Sequence, residues 1–244
     1  MYIYGKLGNL TMTKEGINVL MTNLTGKVPP ILQRLDYIRF NGEAAGYLHD
    51  LTLTGLFHTG AGMVKTDVMM SIDEQSMSRT YSGSVASADL DLGKLLNQEK
   101  KFGKVDFNVE LKGFNYKNRY PESYIKGIIS SFEYSQYQYE NIMLDGVYKD
   151  GGFNGRLSMD DANGSVQIDG NFNVAKTIPD FNLKASVKNL RPHDLHLSDK
   201  YENASISLGL TADFTGKSID DMNGRISLDS LQLNAPDEGG CFLD

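Results

Sequence analysis

His193 and His196, with Asp194 between them, carry side chains suited to a metal site, and a shared ion would need both imidazoles on one side of the backbone. Leu195 and Leu197 read as strand positions, and in a strand an offset of three sends the two histidines to opposite faces. The spacing therefore predicts surface histidines. His49 and His58 have no acidic or histidine neighbour at ligand spacing. Asp160-Asp161-Ala162-Asn163-Gly164 has the look of a calcium loop, but it lacks the alternate acidic ligands and the closing glutamate of the full loop. That segment and Asp220-Asp221-Met222-Asn223-Gly224 both read as hairpin turns. Carboxylate pairs for glycoside hydrolysis assemble only in a fold, and the acidic residues here fall at turns or on polar strand faces. There is no Gly-x-Ser-x-Gly elbow, phosphate loop or dinucleotide fingerprint. The expectation is a protein that is not an enzyme, with no catalytic, cofactor-binding or metal-ligating set.

Charge excludes another class. The 244 residues carry a formal charge of -7, and no basic stripe offers a phosphate backbone a partner, so nucleic acid is not expected. Lys100, Lys101 and Lys104 form the densest basic run and read as a solvated turn. Cys241 is the single cysteine, so an intrachain disulfide and a thiolate cluster are both impossible. No apolar run approaches the roughly 20 residues of a membrane-spanning helix. The start, Met1-Tyr2-Ile3-Tyr4-Gly5-Lys6, lacks the basic and apolar regions of a signal peptide. Asp237-Glu238-Gly239-Gly240 leads into a fresh apolar start at Cys241-Phe242-Leu243-Asp244. Read literally, a beginning without a signal peptide means the cytoplasm, and equally it fits an internal piece of a longer chain; the expectation is a single elongated β-segment over residues 1–244, as part of a longer chain.

What positions side chains in this chain is a period of two. Val64, Thr66, Val68, Met70 and Ile72 alternate with Lys65, Asp67, Met69, Ser71 and Asp73. Val105, Phe107, Val109 and Leu111 alternate with Asp106, Asn108, Glu110 and Lys112. The pattern repeats through Val166, Ile168, Phe172 and Val174, through Phe181, Leu183 and Val187, through Ile206, Leu208, Leu210 and Phe214, and through Ile226 and Leu228. Alternation puts each apolar set on one face of a strand, and these residues are the candidate lining of an apolar groove. Asn163-Gly164 and Asn223-Gly224 sit between alternating runs, as central residues of primed hairpin turns. Parallel crossovers would need a helix of ten or more residues between strands, so the prediction is an all-β antiparallel meander. Leu7 to Met12, Ile17 to Met21 and Leu195 to Leu197 also read as strands. Phe132, Tyr134, Tyr137 and Tyr139 change parity after Tyr134, which predicts a bulge. Short helical turns are expected at Pro29 to Leu35 and at Asp91 to Leu96. Tyr116, Tyr120, Tyr124, Tyr134, Tyr137, Tyr139 and Tyr148 crowd one third of the chain, as cross-strand pairs or as the lip of a groove where an apolar ligand meets water.

Several of these segments resemble the TamB proteins of Bacteroidetes, within the broader AsmA-like class. Tyr81-Ser82-Gly83-Ser84-Val85 runs toward Asp91-Leu92-Gly93-Lys94-Leu95-Leu96 and then Phe102-Gly103-Lys104-Val105-Asp106-Phe107. Tyr137-Gln138-Tyr139-Glu140-Asn141-Ile142 continues through Leu144-Asp145-Gly146 and Phe153-Asn154-Gly155 to Asp160-Asp161-Ala162-Asn163-Gly164, and Leu24-Thr25-Gly26-Lys27 and Phe40-Asn41-Gly42 match in style. The resemblance covers most of residues 20 to 235 through loose strand-and-turn signatures. It implies an envelope protein anchored in the inner membrane that crosses the periplasm toward an outer-membrane assembly barrel. It further implies a long sheet curled into an open apolar half-pipe, or β-taco, that conducts phospholipids. The anchor and the region meeting the barrel partner are not among these residues.

Transfer chemistry fits such a trough. An acyl chain of about 16 carbons exposed to water costs on the order of 12 kcal/mol, at ~0.8 kcal/mol per methylene. About 14 strands at ~4.8 Å spacing would give ~65 Å of continuous apolar cover. Met63, Met69, Met70 and Met77 read first as core gap-fillers and otherwise as adaptable packing along the trough. The competing expectations are a closed β-sandwich or envelope scaffold that fills its own face, an outer-membrane barrel, and a carbohydrate-binding module with tyrosines on one platform. A barrel calls for aromatic girdles, and tryptophan is absent.

Overall fold

The computed structural model describes residues 2–25, 28, 30–47, 49–73, 75–76, 78–115, 122–173, 176–200, 202–217 and 221–235. The strands are β1 (Tyr2–Thr13), β2 (Tyr37–Tyr47), β3 (Asp50–Thr59), β4 (Gly62–Ile72), β5 (Arg79–Asp91), β6 (Phe102–Asn115), β7 (Glu122–Tyr134), β8 (Tyr137–Lys149), β9 (Gly152–Asp161), β10 (Gly164–Asn173), β11 (Asp180–Leu190), β12 (Ser205–Thr215) and β13 (Asn223–Asn234). All 13 pair antiparallel in sequence order within one sheet, with β1 and β13 as its two edges. The sheet is an all-β meander and does not close into a barrel. Contacts group the chain into two compact units, Met1–Lys117 with Ile129–Gln138, and Asn118–Ile128 with Tyr139–Asp244.

Helical structure is short and lies between strands. The turn expected at Asp91 to Leu96 is the α-helix Leu92–Leu96, and the one near Pro30 is a 3-10 helix over Leu32–Arg34. Asp91 caps the former by accepting from the Lys94 N–H at 2.8 Å, satisfying a backbone donor that the first helical turn leaves free. We label this helix α2, because an α-helix also spans Lys14–Thr25 (α1). The strand expected at Ile17 to Met21 is thereby corrected. Ile17, Leu20, Met21 and Leu24 recur at helical spacing, and a five-residue window centred on Val19 hides that longer period. The Thr13 hydroxyl accepts from the Gly16 N–H at 3.5 Å at the start of α1, and Ile17 is buried in the unit's core.

Three more local expectations are revised. Leu195 and Leu197 belong to turns and not to a strand: the Leu195 N–H donates to the Arg191 carbonyl and the Leu197 N–H to the Pro192 carbonyl. The parity change after Tyr134 is a hairpin rather than a bulge, since Ser135 and Gln136 both take the left-handed conformation, at φ 51° and 64°, that a tight antiparallel turn requires. Asn163-Gly164 and Asn223-Gly224 are displaced from their turn centres. Gly164 opens β10 opposite Asp161, with φ 133° and a would-be Cβ only 2.5 Å from the Leu190 Cα. Glycine serves close approach there, not turn formation. Gly224 lies inside β13 opposite Phe214 in the same way. A two-residue turn with positive φ occurs instead at Asp150-Gly151.

In the first unit the core forms where helices fold over one end of the strands. Ile17 of α1, Leu35, Ile38 of β2, Ala61 of the β3–β4 turn, Leu90, Leu95 of α2 and Val105 make one buried cluster, with Phe57, Val64 and Phe107 packed against it. Polar groups knit this cap together. Arg34 donates to the Leu95 carbonyl, and Lys94 donates to the Gly60 carbonyl at 3.0 Å while lying 3.4 Å from Asp36. The second unit does the same with a turn in place of helices. Leu195 is fully buried, and Tyr139 of β8 donates to its carbonyl at 2.7 Å.

Candidate functional site

Pairing register decides which side chains share a face, because residues directly opposite on antiparallel strands point the same way. In the first unit Leu51, Leu53 and Phe57 of β3 face Met70, Val68 and Val64 of β4. Val64 then pairs with Ser87, Thr66 with Val85 and Val68 with Gly83 of β5. Those three meet Phe107, Val109 and Leu111 of β6, and Val105 follows after an irregularity, opposite Leu90. Val64, Val68, Met70, Ile72, Val105, Phe107, Val109 and Leu111 therefore stand on one face of this unit.

The second unit repeats the arrangement. Val166, Val187 and Leu208 form one row, Ile168, Ala185 and Leu210 the next, then Gly170, Leu183 and Ala212, then Phe172, Phe181 and Phe214. Leu228 joins Leu210, Ile226 joins Ala212, and Ile206 pairs with Leu190. Each predicted lining residue of this unit that is described falls on that single face; Val174 lies outside the described residues. The sequence reading missed further members of the same rows. Phe40 stacks against Phe57 with ring centroids 4.7 Å apart, and Leu144, Leu157 and Phe153 continue the face onto β8 and β9. Their signal was the same alternation, in segments interrupted by glycine. Gly146 is one such interruption: a Cβ there would sit 2.5 Å from the Phe153 ring, so the missing side chain is filled by a neighbouring aromatic.

The opposite face is charged. Asp145, Arg156, Asp169 and Lys184 lie in one cross-strand row of alternating sign, and Lys126 adds an ion pair to Asp145 at 3.4 Å. Hydrogen bonding from the Tyr124 hydroxyl, at 2.8 Å, holds the Asp145 carboxyl below its ordinary pKa, helped by Lys126 and Arg156. Asp169 is lowered first by Gln167 and then by Arg156, 2.6 Å away. Asn108 and Thr211 are exposed on this polar side, opposite Ala86 and Lys184. Met63 and Met69 are on it too, opposite His58 and Thr52, while Met70 is on the apolar side; Met77 lies outside the described residues.

The apolar face is closed over only in part: among the described predicted lining residues Met70, Ile226 and Leu228 are exposed, and all the others but one are part-buried. Twelve hydrophobic residues are buried among those described, and Val105 is the only predicted lining residue among them. A sandwich would bury the rows above between two layers. Here no second sheet lies against them, and the described strands all belong to one sheet.

The residues with metal or catalytic chemistry do not converge. His193 Nδ1 is 3.6 Å from Asp194 Oδ1, His49 stacks on Tyr47 at 5.7 Å, and no group of three metal-ligating side chains comes together among the described residues. Asp161, in the segment with a calcium-loop appearance, accepts instead from the N–H groups of Glu140 and Asn163 at 3.1 and 2.9 Å. The tyrosines do not gather at one place. Tyr124 bonds on the polar face and Tyr139 is buried, Tyr134 lies 5.4 Å from the Phe102 ring, and Tyr148 is 40 % exposed at the end of the apolar face; Tyr116 and Tyr120 lie outside the described residues. No described helix is long and apolar enough to cross a membrane.

Within each unit the antiparallel meander carries apolar rows on one face and polar or charged side chains on the other. Compared with protein-family models, curated proteins and solved structures, the chain matches none of them.

Proposed function

We propose that this chain is a lipid-bearing segment of a TamB-like envelope protein, which shields phospholipid acyl chains on its apolar sheet face during transfer between the inner and outer membranes or in support of outer-membrane protein assembly. The observation that carries this reading is a face of Val, Leu, Ile, Phe and Met rows, held in register across successive strands and mostly part-buried, not fully buried, by the chain's own residues. Such a face removes most of the ~0.8 kcal/mol per methylene that an acyl chain incurs in water. It also binds without directional groups, so one position holds a chain about as well as the next. The reading places the segment in the periplasm and involves no bond-making step. Docking to an outer-membrane assembly barrel is assigned to other parts of the protein.

A second reading, an envelope scaffold without lipid conduction, is favoured by one observation. Beneath α1, the 3-10 helix and α2 the apolar face is filled by the chain itself. The two readings separate on copurified lipid. Mass spectrometry of protein purified from membrane-containing cells should detect phospholipid, and the Val109→Asp/Leu208→Asp variant should lose it by at least about tenfold, a loss of ~1.4 kcal/mol. Asn108→Asp/Thr211→Asp, on the charged side, should retain it. Equal lipid in both variants, or none in the unmodified protein, would favour the scaffold.

A further inference from the structure

Asn-Gly occurs four times, at Asn41-Gly42, Asn154-Gly155, Asn163-Gly164 and Asn223-Gly224. In this dipeptide the glycine nitrogen can attack the asparagine side-chain amide, because glycine puts no side chain in the way. The attack needs a glycine N–H without a ladder hydrogen bond and an asparagine side chain able to swing over it. The four sites share a sequence but not a place in the sheet. Gly42 faces Gly55, Gly155 faces Gly146 and Gly224 faces Phe214. A Cβ built on each would lie 2.6, 2.4 and 2.5 Å from the Cα of the residue it faces, an approach that only the narrow, non-hydrogen-bonded kind of antiparallel pair allows. In a narrow pair the two N–H groups point away from each other, toward the next strand on either side.

For Gly42 and Gly155 that next strand is present. Gly42 lies opposite Leu7 of β1 and Gly155 opposite Gly170 of β10, so each amide is directed into a ladder. Gly164 is buried and stands opposite Asp161, where the β9–β10 hairpin closes. Its asparagine is pinned as well: the Asn163 N–H donates to the Asp161 carboxylate at 2.9 Å, and the Asn163 carbonyl accepts from the Arg191 N–H at 2.9 Å. Gly224 differs. β13 is an edge of the sheet with no described strand beyond it, so the Gly224 N–H points out of the ladder. Asn223 and Gly224 are both exposed, as the first two residues of that strand.

We infer that Asn223-Gly224 is a site of spontaneous deamidation, set apart from the other three by the open edge of β13. The Gly224 nitrogen gives up its proton and bonds to Asn223 Cγ; the bond from Cγ to the side-chain nitrogen breaks, and ammonia leaves with that proton. Water then opens the five-membered imide. Addition at Cγ gives aspartate, and addition at the Asn223 main-chain carbonyl carbon gives isoaspartate, whose main chain runs through Cβ and Cγ. Either product adds a negative charge on the polar face, two residues from Arg225, and isoaspartate also lengthens the main chain at the first rung with β12, Asn223 opposite Thr215. This site is independent of the lipid reading.

To test it, the protein is held folded in mildly alkaline buffer, sampled over time and digested with trypsin, which places the four asparagines in separate peptides. Mass spectrometry reads the conversion, and electron-transfer fragmentation separates aspartate from isoaspartate. Asn223 should convert at least about tenfold faster than Asn41, Asn154 and Asn163, since the glycine after each of these must first break out of its pairing. In urea-unfolded protein the four rates should converge, because the chemistry is the same at each. Hydrogen exchange should be faster at the Gly224 amide than at those of Gly42 and Gly155. Conversion at Asn223 no faster than at the other three in the folded protein overturns the assignment, and so do rates that stay as far apart in urea. A Gly224 amide as slow to exchange as those of Gly42 and Gly155 overturns it too, since the edge would then be covered.

Discussion

Leu195 and Leu228 are both leucines of the second unit, and shortening each to alanine separates an uncovered face from a filled core. Leu195 is 0 % exposed, so Leu195→Ala removes buried methylenes and leaves a cavity, at a cost of about 2.7–5 kcal/mol. Leu228 is 58 % exposed, so less than half of its side chain is out of water. Full burial of a leucine stabilises by about 1.5–3 kcal/mol, which leaves ~1 kcal/mol or less at stake in Leu228→Ala. No cavity term follows, because solvent already reaches the site. Urea unfolding of the second unit converts these into midpoint shifts; with m near 2 kcal/mol/M, Leu195→Ala should lower the midpoint by ~1.5–2.5 M and Leu228→Ala by ~0.5 M or less. Comparable shifts for the two would mean that Leu228 is packed against something, and the uncovered-face argument would fail.

Three further outcomes follow from the same geometry. The Asp145 and Asp169 carboxyls are held below their ordinary pKa, Asp145 chiefly by Tyr124 and Asp169 chiefly by Gln167, so each contributes stability that is present above the unfolded aspartate value of ~3.9 and lost as pH falls through the lower folded one. A melting-temperature profile between about pH 6 and pH 2 should fall less steeply in Asp145→Asn/Asp169→Asn than in the parent. Asp91→Ala removes the cap of α2 and should cost ~1 kcal/mol, read as a small drop in melting temperature of the first unit. Gly164→Ala forces a Cβ against the Leu190 backbone at positive φ and should destabilise by ~1–3 kcal/mol, whereas Ala162→Gly, in the adjacent turn, should cost less than ~1 kcal/mol.

The meander was legible because its period is local. Val105 to Leu111 and Ile206 to Phe214 state their strand and their face within a few residues, and glycine-punctuated hairpins leave little choice of partner. What escaped depended on longer windows or on distant neighbours. Ile17 and Met21 read as strand until Leu24 completes the helical spacing. Leu195 and Leu197 alternate like a strand, yet Leu195 is held in a turn by burial and by the Tyr139 hydroxyl from β8. Gly164 and Gly224 looked like turn centres because glycine marks tight turns and close backbone approach alike, and only the cross-strand neighbours Leu190 and Phe214 distinguish the two. The composition of the apolar face was readable in advance; the caps at its strand ends were not, because Leu35, Leu95 and Leu195 lie outside the alternating runs.

The proposed lipid role requires acyl chains to occupy the apolar rows. Photo-crosslinking to phospholipid from Phe107, Leu111, Leu208 and Phe214, with Asn108 and Thr211 on the charged face as controls, tests it most directly. Adducts should form from the first four positions and be absent or weak at the controls. Adducts of equal yield from both faces would contradict it.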